Sequence, residues 1–223
     1  MNFVPGSDPH AAVANADYGW AGRESQDRAE YPVLARWVPE GARVLDVGCG
    51  DGRLGAKLIA ERRASVSGFE IDPGGTEKAR AAGVEALTGD ADHGLPYADN
   101  GFDVAILNVT LMMVYRPRFV LQEMLRVAPV ALVSFPNLGH WVCRAQLLAG
   151  RFPTKPLYGR AWYDTRHIHL FTWADLRALV RLESARITAV EHFGRDSRTP
   201  SPLARAWPNL FSALSLARIE RAR

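Results

Sequence analysis

Apolar positions recur in two alternating rhythms from Tyr31 onward. Val33, Leu34, Trp37 and Val38 fall at helical spacing, and Pro39 with Gly41 stops that helix. Arg43 to Val47 is a short apolar run that ends in Gly48, Gly50 and Gly52, the pattern of a buried strand feeding a tight loop. Leu54, Leu58 and Ile59 mark one face of the next helix. Ser65 to Ile71 reads as a second strand, Asp72 to Gly75 as a turn, and the stretch around Glu77 to Ala82 as a helix. Val84 to Leu87, Phe102 to Leu107 and Val130 to Phe135 supply three further strands, with a helix opened by Pro117 between the last two. His140 to Leu148 is predicted helical, and Thr172 with Asp175 caps a helix to about Leu182. Arg186 to Phe193 and Asn209 to Ile219 offer the last strands, although the second also suits an amphipathic helix.

Strands alternating with helices make βαβ units, and the fold expected is a doubly wound, mostly parallel α/β sheet of the Rossmann-like kind. Residues 1–30 are Ala-, Gly- and Asp-rich without periodicity and read as a mobile extension, with Tyr18 and Trp20 as docking points. Residues 31–223 form the single domain expected of this length.

Chemistry concentrates at the predicted strand ends. Asp46-Val47-Gly48-Cys49-Gly50-Asp51-Gly52 joins a strand to a helix, and its alternate glycines allow a sharp turn and close ligand approach. Gly50 to Gly55 even spells the dinucleotide fingerprint. Its register is wrong, because that motif needs its first glycine at the strand end, where Gly48 stands, and Arg53 then occupies the third glycine position. Asp46 and Asp51 would also repel a pyrophosphate. They suit a phosphate-free ligand bearing positive charge, such as S-adenosylmethionine with its ammonium and sulfonium. Glu70 ends the second strand where a carboxylate can accept ribose hydroxyls, Asp90-Ala91 follows the third, and Asn108 lies just past the fourth. The candidate cofactor site is therefore Asp46, Gly48, Cys49, Gly50, Glu70, Ile71, Asp90, Ala91 and Asn108.

These segments resemble the seven-stranded Rossmann-like methyltransferases that use S-adenosylmethionine. Val44 to Gly52 looks like their first motif, Glu70 like their ribose acid, and Gly101-Phe102-Asp103-Val104 like the start of their fourth strand. Ser134 to Trp141, Trp162-Tyr163-Asp164-Thr165, Ile168-His169-Leu170 and Gly68 to Pro73 resemble one family within that class, the MetW proteins of methionine biosynthesis. That resemblance implies a methyltransferase fold acting as partner or activator of homoserine O-acyltransferase. The chain departs from the family at Arg166-His167, where Pro-Asn is usual, and in the strongly apolar run Val109 to Met113. Its first thirty residues have no counterpart in the family.

Methyl transfer from a sulfonium needs alignment and dryness first, and a general base only for some nucleophiles. No catalytic set is assigned. His140, His167 and His169 are candidate bases, with Tyr163 and Asp164 nearby in sequence. A loop-anchoring or helix-capping role is the plainer reading of His140. On a strand His167 and His169 would share a face as a metal pair might, but no third ligand stands at suitable spacing, so no metal is expected. Trp141, Trp162, Tyr163 and Trp173 are ranked first as core, then as partner surface, then as substrate pocket. Two functions stay open, an accessory protein of the acyltransferase and a small-molecule methyltransferase.

Composition adds bounds. The net charge of +3 is too small to imply a nucleic-acid partner. Residues 1–143 carry 13 Lys/Arg against 18 Asp/Glu and residues 144–223 carry 14 against 6, a basic end that reads first as a solvated face. Cys49 and Cys143 look like reduced thiols. With no span of apolar residues long enough for a bilayer and no signal-peptide pattern, a cytoplasmic protein without a membrane partner is expected.

Overall fold

The computed structural model describes residues 27–154, 162–163, 165–195 and 199–222. Tyr18, Trp20, Asp164 and nearly all of the expected extension lie outside the described residues. Among the described residues, no helix is long and apolar enough to cross a membrane.

Helix α1 (Tyr31–Trp37) leads into β1 (Arg43–Val47), α2 (Arg53–Arg62), β2 (Ser65–Glu70), α3 (Pro73–Ala81) and β3 (Glu85–Thr88). A single 3-10 turn (Ala91–His93) precedes β4 (Val104–Asn108), α4 (Pro117–Val127) and β5 (Val130–Pro136). Then come α5 (Trp141–Leu148), α6 (Trp173–Leu182), β6 (Ala185–Phe193), α7 (Pro202–Ala206), α8 (Pro208–Phe211) and β7 (Leu214–Arg221). The seven strands form one sheet in the order β3-β2-β1-β4-β5-β7-β6. Strands β1 to β5 pair in parallel, while β7 runs antiparallel to both β5 and β6. The expected doubly wound, mostly parallel architecture is what the chain adopts.

Successive residues of the central strands enter opposite cores, so both faces are covered. Leu45, Val47, Ala105, Leu107, Val133 and Phe135 pack under α4 and α6, while Val44, Ile106 and Leu132 face α1 and α2. The parallel register then fixes where polar residues emerge. Asp46 pairs with Gly68 and with Ile106, and Asn108 with Ser134. Asp46, Glu70, Asn108 and Ser134 therefore share the α1/α2 face at the carboxyl end of the sheet, on both sides of the β1/β4 switch point.

Local chemistry moved some boundaries. Helix α3 begins at Pro73, four residues before the expected helix, because Pro suits a first helical turn and the Asp72 carboxylate caps it by accepting from the N–H groups of Gly74 (2.8 Å) and Gly75 (3.4 Å). The segment expected as one strand or helix over 209–219 is divided: α8 ends at Phe211, and β7 starts at Leu214. The Thr172/Asp175 capping box is present at the start of α6.

Candidate functional site

The glycine loop turns on left-handed backbone. Gly48, Gly50 and Gly52 have φ of 72°, 56° and 75°, where side chains with a Cβ are strained. Space is also short. A Cβ on Gly48 would lie 2.7 Å from Thr110 Oγ1, and one on Gly52 would lie 2.6 Å from the Ala79 Cα. The Gly48 N–H donates to the Phe69 carbonyl at 2.7 Å, which closes the loop against the end of β2.

Glu70 is buried and organises this loop from below. Its carboxylate accepts from the Gly50 N–H at 2.8 Å and from the Asp72 N–H at 3.1 Å. The second glycine's N–H, which a pyrophosphate site would offer to its ligand, thus already meets an anion. Burial raises the Glu70 pKa, and these backbone donors oppose that shift. Asp46 is only 2% exposed. Burial, then Glu70 and Asp51, push its pKa up to about 7. Cys49 is buried against Gly68, whose own Cβ would fall 2.6 Å from the Cys49 Sγ, and burial holds its thiol far above the ordinary range.

Asp90 is the N-cap of the 3-10 turn that starts at Ala91: its carboxylate accepts from the Asp92 N–H at 2.9 Å and meets His93 Nδ1 at 3.1 Å. Ile71 is partly buried directly after β2. Asn108 ends β4, with its amide oxygen accepting from the Ser134 hydroxyl and its Nδ2 donating to Glu30 Oε1 at 3.2 Å. The next residue, Val109, is β-branched yet has φ of 55°, a strained conformation. It is held there by its N–H, which donates to the Ser134 carbonyl (3.1 Å) and hydroxyl (3.0 Å).

The structure brings Asp46, the glycine loop, Glu70 and Asn108 to one corner of the sheet and adds side chains that sequence reasoning missed. Glu30, placed by that reading in the extension, is 2% exposed and bonded to Asn108. Arg28 Nε lies 2.8 Å from the same Glu30 oxygen. The buried Tyr31 phenol is held far above its usual pKa by burial, with Arg28 opposing and Asp46, Glu30 and Asp51 reinforcing. The Arg28-Ala29-Glu30 run had no sequence signal beyond its position just ahead of the first helix, which Tyr31 opens. Thr110 lay inside a run read as anomalously apolar, and its contact with Gly48 explains a polar residue among Val109, Leu111 and Met112.

The histidines are accounted for by structure. His140 is buried and caps α5, its Nδ1 accepting from the Val142 N–H at 3.2 Å, and burial lowers its pKa. His167 and His169 do not share a strand face, because residues 165–170 are irregular. There His167 Nδ1 meets Thr165 Oγ1 at 2.6 Å, and the His169 N–H donates to the Met112 carbonyl at 3.0 Å. The core ranking of the aromatics holds for Trp173 alone, which stacks near Phe135 and is met edge-on by His192. Trp141, Trp162 and Tyr163 are exposed, the last two at 68% and 77%. In the basic C-terminal part, Arg186, Arg205 and Arg218 pair with Glu220 or Glu191.

The family model described as methionine biosynthesis protein MetW matches residues 28–219. This chain belongs to that family. A curated MetW relative, the bifunctional methionine biosynthesis protein MetXA/MetW of Rhodopirellula baltica, is 34% identical over 154 residues, which are 64% of this chain and 25% of that relative. This chain thus spans about a quarter of that relative's length. Among solved structures, an S-adenosylmethionine-dependent methyltransferase from Thermotoga maritima is 20% identical with a TM-score of 0.66, covering 87% of this chain and 88% of that one. Another from Mesorhizobium loti is 23% identical with a TM-score of 0.63, covering 91% of this chain and all of that one (100%). These likenesses place this chain in the methyltransferase fold.

Proposed function

We propose that this MetW-family protein binds S-adenosylmethionine at the carboxyl ends of β1, β2 and β4 and acts in the cytoplasm as a partner of homoserine O-acyltransferase. The donor set favours that cofactor. Buried carboxylates at Asp46, Glu70 and Glu30 repel phosphate and favour a sulfonium or ammonium, and the left-handed glycines let the loop backbone turn tightly beside them. The assigned holders are Asp46, Gly48, Cys49 and Gly50 in and beside the loop, Glu70 and Ile71 at the ribose, Asp90 and Ala91 beside the adenine, and Asn108 at the amino-acid end. When bound, the cofactor supplies an electrophilic methyl group. The chain's own residues would orient it and keep water out.

The partnership rests on one observation, the bifunctional relative that joins MetXA and MetW in a single chain. Fusion raises the effective concentration of two modules that work together. The exposed aromatics Trp162 and Tyr163 support a docking role, since such side chains anchor interfaces. The histidines once considered as bases are engaged as a cap and as loop anchors, which favours an accessory role over a small-molecule methyltransferase. Co-purification of the tagged protein with homoserine O-acyltransferase, with and without S-adenosylmethionine, tests this. A complex whose affinity changes with cofactor is expected, and linkage requires the enzyme to change cofactor affinity by the same factor. No complex in either condition would remove the partnership, and methylation of a small acceptor would restore the enzymatic alternative.

A further inference from the structure

The two ends of the sheet carry opposite charge. Carboxylates stand where the parallel strands finish, and arginines gather where β5 begins. Because β7 runs antiparallel to β5, and β6 antiparallel to β7, the last residues of β7 and the first of β6 lie beside Val130. An open cavity of about 460 Å³ is lined there by Arg186, Arg218, Arg221 and Glu220, with Pro129 and Val130 supplying an apolar wall. Leu214 and Leu216 of β7 are core residues, and Arg218 and Glu220 take the next two places on the same face.

These side chains hold one another in place. Glu220 stands opposite Arg186 in the strand register. Its Oε2 accepts from Arg186 Nη2 at 3.2 Å, and its Oε1 accepts from Arg218 Nη1 and from the Thr188 hydroxyl, the latter at 3.1 Å. The β6/β7 register skips Thr188, whose hydroxyl also accepts from Arg218 Nη1 at 3.1 Å. Arg221 Nη2 donates to Asn100 Oδ1. Among the described residues, each of the three guanidinium groups is thus bonded through one terminal nitrogen, which leaves its Nε and its other terminal nitrogen to a ligand. Burial works to raise the Glu220 pKa, yet Arg186, Thr188 and Arg218 hold it below the ordinary value, so the acid stays ionised at neutral pH. Even then three positive charges face one negative charge, an excess of two.

We propose that Arg186, Arg218 and Arg221 form a binding site for a phosphate-bearing small molecule at the amino end of β5. A phosphoryl group carries about two negative charges at neutral pH, which matches the excess. Its three outer oxygens can take donors from three sides, whereas a planar carboxylate offers two, and guanidinium forks suit its geometry. Glu220 is a positioning residue that sets two of the three arginines. The site shares no residue with the S-adenosylmethionine site and does not depend on it.

Calorimetric titration of the full chain with inorganic phosphate and with acetate, at matched low ionic strength, tests it. Saturable one-to-one phosphate binding is expected, with acetate weaker by about tenfold or more. Arg186→Gln/Arg221→Gln should weaken phosphate binding by about tenfold or more, through lost charge-assisted hydrogen bonds. Arg63→Gln, at an exposed arginine beside β2 on the far side of β1, β4 and β5, should leave it within about twofold, since a distant exposed charge is screened. Should the double variant fail to fold, Arg221→Gln alone, which gives up the bond to Asn100, decides the question with an expected loss of about threefold or more. Equal weakening by Arg63→Gln would mean attraction to net charge and overturn the proposal. So would acetate binding as tightly as phosphate, unchanged affinity in the site variants, or the lack of saturable phosphate binding by the folded wild type.

Discussion

The parallel half of the sheet and its antiparallel end are built to opposite plans. Strands β1, β4 and β5 are mostly apolar on both faces, and polar residues gather at the carboxyl ends of the parallel strands, where Asp46, Glu70, Asn108 and Ser134 share one face. Strand β6, at the sheet edge, alternates partly buried and exposed residues through its first six positions, and its Arg186 pairs at the surface with Glu220. One region hides its chemistry and the other displays it. Burial of charge has a steep cost unless fixed donors compensate, and in the first region Glu70 is met by the Gly50 and Asp72 N–H groups and Glu30 by Arg28 and Asn108. The second region bears its polarity at little cost, which suits contact with another macromolecule.

Two tryptophans provide the sharpest test of that contrast. Both lie in the same aromatic-rich stretch, but Trp173 is 6% exposed and Trp162 is 68% exposed. Trp173→Ala should destabilise the protein by about 3–5 kcal/mol, the range for large aromatic truncations in a core. Trp162→Ser should remain within about 0.5 kcal/mol of wild type while lowering capture of the acyltransferase. Chemical denaturation with both variants checks this. Similar losses would erase the distinction between the two regions.

Among the strand-end carboxylates the next effect is smaller. Glu70→Ala should weaken S-adenosylmethionine binding by about 1–3 kcal/mol, through lost charge-assisted bonds. Part of that loss arises before any ligand enters, because Glu70 already holds the Gly50 and Asp72 N–H groups. Proton exchange at Gly50 should accelerate in the ligand-free variant. Unaltered affinity together with unaltered exchange would show that Glu70 organises neither the loop nor the ribose.

How far these features could be read from the chain depends on how local their causes are. Strands β1, β2, β4 and β5 were legible because a run buried on both faces needs consecutive apolar residues, and Asp46-Val47-Gly48 marks its end without reference to anything distant. The start of α3 was misplaced because Asp72-Pro73-Gly74-Gly75 has the composition of a turn, and only the cap geometry shows it to be the first helical turn. Glu30 was illegible for another reason. Its role comes from a bond to Asn108, 78 positions away, made when α1 packs on the face that carries β4. The exposure of Trp162 was equally hidden, since an aromatic residue reads as core until its neighbours are placed.

The smallest effect is a pH dependence, and its sign separates the strand-end site from an ordinary carboxylate cluster. The Asp46 pKa stands at about 7 in the folded protein, raised above its unfolded value. A raised carboxyl favours the fold while protonated, so its contribution is complete in acid and is lost as pH climbs from the ordinary carboxylate range through 7. The ligand-free protein should therefore melt at progressively lower temperature over that interval. Ligand binding should respond in the opposite sense, because a cation gains most from ionised Asp46 and must displace its proton. Affinity for S-adenosylmethionine should tighten by about tenfold between pH 5.5 and 7, with proton release visible as a dependence of the binding heat on buffer ionisation enthalpy. In Asp46→Asn both trends should flatten, and the melting temperature at neutral pH should rise as affinity falls. Wild-type affinity that stayed level across this range would mean that Asp46 faces no cation, and the contrast between buried carboxylates at the strand ends and a solvated edge would lose its functional meaning.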